Sequence, residues 1–120
     1  MSAEPAEPSY SEKSYNFLFE AKYELSTGAS VHASEKLWGA AAQMVKGVAA
    51  RRDWPHRSHR DLYQVIARLV GETGDKEFSS LFHIASDLHQ NFYEQLQPIE
   101  LIESAVPDIE RLLQKLEPLA

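Results

Sequence analysis

The chain has 120 residues, 43% of them hydrophobic and 25% charged, which is typical of a single globular domain. Its formal net charge of −6 argues against a protein that coats nucleic acid or membranes with a wholly basic surface. The absence of cysteine excludes a disulfide framework and a thiolate metal site. No apolar run approaches the ~20 residues of a membrane span, and the acidic amino terminus lacks a secretory apolar region, so a cytoplasmic protein is predicted.

Residues 1–10 contain two prolines, two glutamates and several small residues. This stretch offers too little apolar surface to stay ordered, so it is predicted to be a disordered acidic leader. Residues 11–118 show helical periodicity throughout and no competing strand pattern. They are predicted to form one all-α domain, an up-and-down bundle of about five helices.

The first two helices are predicted from apolar residues that recur every three or four positions. The first covers residues 11–27 and ends before Gly28. The small residues 39–42 on the second helix let another helix approach closely, which places it in the middle of the bundle or at a dimer seam. This second helix covers Ser30–Arg51, and its apolar stripe is formed by Leu37, Ala41, Met44, Val45 and Val48.

The break before the third helix is marked by Pro55, which lacks an amide donor and moves Trp54 out of the α region. Ser58 matches a helix N-cap, and Asp61 occupies the reciprocal position of a capping box. The third helix is therefore predicted from Ser58 to about Val70.

The fourth and fifth helices fill the remainder of the chain. Asp75 is predicted to cap the fourth helix, which continues to about Glu94. Pro98 suits the first turn of the fifth helix. Because Pro107 falls inside the apolar pattern of that helix, a kink or a break is predicted there.

The loop between the second and third helices concentrates positive charge. Residues 51–60 hold four of the 12 Lys and Arg residues and two of the five histidines. A helix amino terminus offers backbone N–H groups to phosphate, and its dipole favours a neutral His59 that can accept a proton. Metal-independent RNA cleavage needs such a base and a cation beside the phosphate. The simpler interpretation is a solvated loop in which Trp54 covers the core.

The chain resembles the HEPN family (higher eukaryotes and prokaryotes nucleotide-binding), whose members carry an Arg, a polar residue and a following His between two helices. Arg52-Asp53 precedes His59 with six residues between Arg and His. Arg51 and His56 also fit the spacing, with four residues between them. Three segments look like an archaeal-type branch of this family: Ser34-Glu35-Lys36-Leu37-Trp38-Gly39-Ala40-Ala41, Pro55-His56-Arg57-Ser58-His59 and Leu88-His89-Gln90-Asn91-Phe92-Tyr93.

The resemblance implies a homodimer whose two Arg–His loops meet, and a metal-independent endoribonuclease, often a toxin paired with a nucleotidyltransferase antitoxin. Arg52 would then stabilise charge on the phosphate, and His59 would act as general base or acid. The alternatives are a non-catalytic module of the same fold that binds a nucleotide or a protein, and a helical dimerisation protein without a ligand.

Further binding residues are predicted around this loop, and no cofactor is expected. Glu35 can reach into the bundle groove and orient an Arg or a His, although a solvated position is the simpler interpretation. Because His83 and His89 lie about 120° apart around their helix, they are not predicted to share a metal. The predicted binding residues are Arg51, His56, Arg57, His89, Asn91 and Glu35.

Overall fold

The computed structural model describes residues 8–120, and this part of the chain consists of helices and short connections, without a strand. The all-α class predicted from the sequence is confirmed. No helix in the described range is long and apolar enough to cross a membrane. The helices are α1 (Tyr10–Ser26), α2 (Ser30–Arg51), α3 (His59–Thr73), α4 (Glu77–Glu94) and α5 (Ile99–Leu116), with a short 3-10 turn over Glu117–Leu119.

The amino-terminal boundary of the bundle lies at Ser9. Its side chain accepts a hydrogen bond from the backbone N–H of Glu12 at 3.1 Å and caps α1. Tyr10, which the sequence placed in the predicted leader, is the first residue of α1. Most of that leader, residues 1–7, lies outside the described residues.

Helix α2 is the centre of the bundle and contacts each of the other four helices. Its small residues are covered by α1: a Cβ on Gly39 would lie 3.3 Å from the ring of Phe17. The hydroxyl of Ser14 on α1 also donates to the carbonyl of Ala40 at 2.6 Å. The predicted smooth surface therefore lies in the middle of the bundle. All five residues of the predicted apolar stripe are fully buried: Leu37, Ala41, Met44, Val45 and Val48.

Helix α3 begins at the capping box that the sequence predicts. The hydroxyl of Ser58 accepts from the N–H of Asp61 at 3.1 Å, and the Asp61 carboxylate accepts from the N–H of Ser58 at 3.2 Å. The backbone N–H groups of Ser58 and Arg57, which both donate to this carboxylate, hold the pKa of Asp61 below its ordinary value. The helix continues to Thr73, beyond the predicted end, because Gly71 stays helical and only Gly74 takes a left-handed φ of 72°.

Of the kink or break predicted at Pro107, the break is absent, and α5 continues through this residue as one helix. Pro107 is exposed. The buried side chains of Ile102 and Ile109, on either side of it, hold both halves of α5 against the core. Their burial outweighs the single backbone hydrogen bond that proline removes. Before α4, Asp75 accepts from the N–H of Glu77 at 3.0 Å, while the N-cap position itself is taken by Lys76, one residue after the predicted cap.

Ion pairs join the start of α4 to the end of α5, and they make stability depend on pH. Lys115 donates to Asp75, and Arg111 lies 2.8 Å from Glu77; these bonds lower the pKa of each carboxyl from ordinary values of 3.8 and 4.5. A carboxyl whose pKa is lowered by folding stabilises the folded state at every pH above its ordinary pKa. This stabilisation is lost as the pH falls through the lowered pKa. We expect the double variant Asp75→Asn with Glu77→Gln to melt below wild type at pH 6, and the difference in melting temperature to shrink as the pH falls toward 3.

Circular dichroism melting curves between pH 7 and pH 3 measure this difference. The exposed Glu103 has no ion pair among the described residues, so Glu103→Gln is the control and should follow wild type at every pH. A constant gap between the double variant and wild type down to pH 3 would contradict the assignment.

Candidate functional site

Three helices bring two imidazole rings together on one side of the bundle. His59 is the first residue of α3 and His89 lies on α4, with their ring centroids 4.8 Å apart and nearly perpendicular. Glu35 and Trp38 of α2 and Tyr93 of α4 adjoin them. We call these five residues the histidine cluster.

A carboxylate fixes the orientation of one of the two rings. The Nδ1 of His89 lies 2.8 Å and 3.1 Å from the two carboxylate oxygens of Glu35. Because Nδ1 must carry the proton in this contact, Nε2 is the nitrogen that remains for another partner. The predicted role of Glu35 in orienting a histidine therefore matches its position.

Trp38 supports both imidazoles from inside the bundle. Its indole centroid lies 5.1 Å from the ring of His59 and 5.0 Å from the ring of His89. The indole is buried against Phe82, with ring centroids 5.6 Å apart, so the core holds it in place. His59 and Tyr93 are exposed, and the cluster is therefore open to solvent on its outer side.

The start of α3 adds positive charge beside the cluster. Arg57 and Arg60 flank His59 in the chain, and both are exposed. The capping box occupies part of the predicted phosphate site, since Asp61 accepts from the N–H groups of Arg57 and Ser58. The guanidinium groups of Arg57 and Arg60 are therefore the donors that this helix start still offers to an anion.

The structure does not bring Arg52 and His59 together within one chain. Arg52 lies at the end of α2, donates to the carboxylate of Glu72 at 2.6 Å and stacks on the ring of Trp54 at 4.9 Å. Arg68 lies on the same ring at 4.8 Å. Glu72, the partner of Arg52, follows His59 by 13 residues, so Glu72 and His59 lie about 20 Å apart along α3.

In the alternative pair, Arg51 and His56 each bond to other groups of the chain. Arg51 donates to the carbonyl of Ala120 at 3.1 Å. The ring of His56 donates from Nδ1 to the carbonyl of Trp54 at 2.8 Å, and its Nε2 lies 3.5 Å from the hydroxyl of Tyr10. The contact with Tyr10 joins the loop to α1, and the Arg51 bond joins the end of α2 to the carboxyl-terminal residue. Neither Arg51 nor His56 belongs to the histidine cluster.

Asn91, a predicted binding residue, lies in the interior of the bundle. Its amide nitrogen donates to the hydroxyl of Ser34 at 3.3 Å, and its amide oxygen accepts from the N–H of Gln97 at 2.8 Å. It therefore joins α2 to the turn after α4. Across residues 8–120, no group of three His, Cys, Asp or Glu side chains is arranged to hold a metal ion.

Trp38 and Tyr93 are the cluster residues that the sequence did not mark as functional. Trp38 follows Glu35 by three residues, and Tyr93 follows His89 by four, so each pair shares one face of its helix. This spacing is the local signal for both residues. The pairing of the two helices across 54 positions has no local signal.

Comparison with known proteins adds one finding. Residues 9–113 match the family model described as Archaeal PaREP1/PaREP8 family. No curated protein and no solved structure matches the chain.

Proposed function

This chain belongs to the archaeal PaREP1/PaREP8 family, and we propose that it is a HEPN-like, metal-independent endoribonuclease centred on the histidine cluster. The observation that carries the proposal is the pair of imidazoles, His59 and His89, 4.8 Å apart and open to solvent. RNA cleavage without a metal needs one group that takes a proton and one that gives a proton at a single phosphodiester.

His59 is the proposed base and His89 the proposed acid. His59 is the first residue of α3 and is exposed to solvent, as a group that takes a proton from RNA must be. The Glu35 carboxylate at Nδ1 of His89 compensates a protonated ring. His59 removes the proton of the 2′-OH, the 2′ oxygen bonds to phosphorus, and the bond from phosphorus to the 5′ oxygen breaks. His89 then gives a proton to that leaving 5′ oxygen, and a 2′,3′-cyclic phosphate remains.

A guanidinium has to stabilise the charge that develops on the phosphate. Arg57 and Arg60 are the exposed candidates nearest to His59 in the chain. The HEPN resemblance assigns this role to Arg52. Because the ion pair with Glu72 holds Arg52 away from His59, it could take part only from the other subunit of a homodimer.

The test is cleavage of a single RNA by the purified protein in excess chelator. We expect a 2′,3′-cyclic phosphate product, and no cleavage of a matched RNA with one 2′-deoxy nucleotide at the cleaved position. Intact RNA under these conditions, or cleavage that requires added metal, would contradict the proposal.

Mixing two inactive variants then tests the dimer. If Arg52 acts across the interface, a mixture of equal amounts of Arg52→Ala and His59→Ala protein should regain about a quarter of the wild-type activity. Half of the dimers then contain one subunit of each variant, and each such dimer has one complete site out of two. If Arg52→Ala alone keeps full activity, the guanidinium comes from the loop beside His59.

The second candidate function is binding of RNA, a nucleotide or a protein without cleavage. The engagement of Arg52 with Glu72 and Trp54 favours it, since this guanidinium is not free for phosphate in one chain. Under this alternative a labelled RNA binds wild type and stays intact. The toxin role that the HEPN resemblance implies adds a nucleotidyltransferase antitoxin as the proposed protein partner.

A further inference from the structure

A groove runs between α4 and α5 on the side of α4 that faces away from the histidine cluster. It has a volume of about 260 Å³, and its apolar lining comes from Ile84, Leu88, Leu101 and Ala105. Leu101 is 54% exposed, which is unusual for a leucine beside a buried helix contact.

The groove continues past the end of α4. An adjoining depression of about 210 Å³ shares Asp87 and Gln97 with it and adds Glu94 and Leu96, which is 74% exposed. From Ile84 to Glu94 the combined surface follows α4 for about 15 Å, or nearly three helical turns. This length suits a partner helix of about ten residues.

The charge around this groove has a single sign. The 34 residues from 77 to 110 contain seven Asp or Glu and no Lys or Arg. Three carboxylates line the groove, namely Asp87, Glu94 and Asp108, and none of them forms an ion pair within residues 8–120. Exposed leucines within an acidic rim are the complement of a helix with one apolar face and basic flanks.

We propose that the α4–α5 groove docks a basic amphipathic helix of a partner protein. Leucine or similar side chains of that helix would cover Leu96 and Leu101, and its Lys or Arg residues would meet Asp87 and Asp108. A second copy of this chain fits less well: between the exposed Phe19 and Tyr23, α1 carries Glu20 and Lys22, one of each sign and both already in ion pairs, so this face has no basic flank. Docking here is independent of the proposed RNA cleavage, because the groove excludes all five residues of the histidine cluster.

The test uses two labelled helical peptides that share one pattern of leucine and charged positions. The charged residue is lysine in the first peptide and glutamate in the second. Fluorescence anisotropy with the full chain should show binding of the lysine peptide only, and weaker binding as salt rises. Asp87→Lys and Leu101→Glu should each weaken binding by at least about tenfold.

Glu12→Lys on α1 is the matched control, because it changes the net charge as Asp87→Lys does and lies outside the groove. It should change binding by less than about twofold. Equal losses for Asp87→Lys and Glu12→Lys would mean attraction to net charge alone and would overturn the proposal. Light scattering provides a second check. If wild type is a dimer and Leu101→Glu dissociates it, the groove binds a second copy of this chain, and the proposal is overturned as well.

Discussion

Replacing His89 with alanine is expected to slow single-turnover RNA cleavage by about 100-fold or more, the usual contribution of a general acid or base. His89 is the proposed proton donor to the leaving oxygen, and Glu35 holds its Nδ1 at 2.8 Å. With both histidines present, the rate should pass through a maximum with pH, because one ring must be protonated and the other neutral. His89→Ala should remove the fall in rate at high pH, since that limb reports loss of the donated proton.

The control for this prediction is His83→Ala on the same helix. His83 is exposed, and its ring lies 6.2 Å from that of Tyr63, outside the histidine cluster. Its removal should leave the rate and the pH profile unchanged. Equal losses in the two variants, or a complete bell-shaped profile for His89→Ala, would remove His89 from the reaction. Glu35→Gln should retain more activity than His89→Ala, because its amide can still accept from Nδ1.

Phe82→Ala is expected to lower the free energy of unfolding by about 3–5 kcal/mol, the usual cost of emptying a buried aromatic site. Phe82 is 1% exposed, and its ring packs against Trp38 and Tyr63, with centroid distances of 5.6 Å and 5.0 Å. A domain of this size has a total stability of about 5–15 kcal/mol, so the variant loses a large share of it. Urea denaturation, followed by circular dichroism, measures the change.

Phe19→Ala provides a control with the same chemical change on the surface. Phe19 is 76% exposed, so its removal should cost no more than about 0.5 kcal/mol. Similar midpoints for the two variants would mean that the ring of Phe82 does not fill the core. Because Phe82 packs against Trp38, the Phe82→Ala variant should also loosen the packing of Trp38 against His59 and His89, even where the bundle remains folded.

The helices were largely predictable because their signals are local. Ser30–Arg51 was predicted with both ends correct, since it contains no proline and carries one continuous apolar stripe. The end of α3 was placed too early, because only the backbone angle distinguishes a helical Gly71 from the terminating Gly74. At Pro107 the break, one of the two predicted outcomes beside a kink, does not occur, because burial on both sides of the residue overrides the local rule.

The candidate site was predictable only in part, because spacing along a loop does not fix direction in space. Arg52 and His59 have the spacing of the HEPN motif, yet Trp54 turns the Arg52 side chain toward Glu72, at the far end of α3. The contact between Glu35 and His89 joins two helices far apart in sequence, and helical periodicity carries no information on such pairing. Only the packed bundle brings them together.

The dependence of the histidine cluster on three helices has a consequence during translation. A nascent chain that ends with α3 already carries Trp38 and His59 but lacks His89. The basic loop therefore emerges from the ribosome before the proposed proton-transfer pair exists. Under the proposed function, an unfinished polypeptide cannot itself cleave the messenger from which it is being read until α4 has joined the bundle.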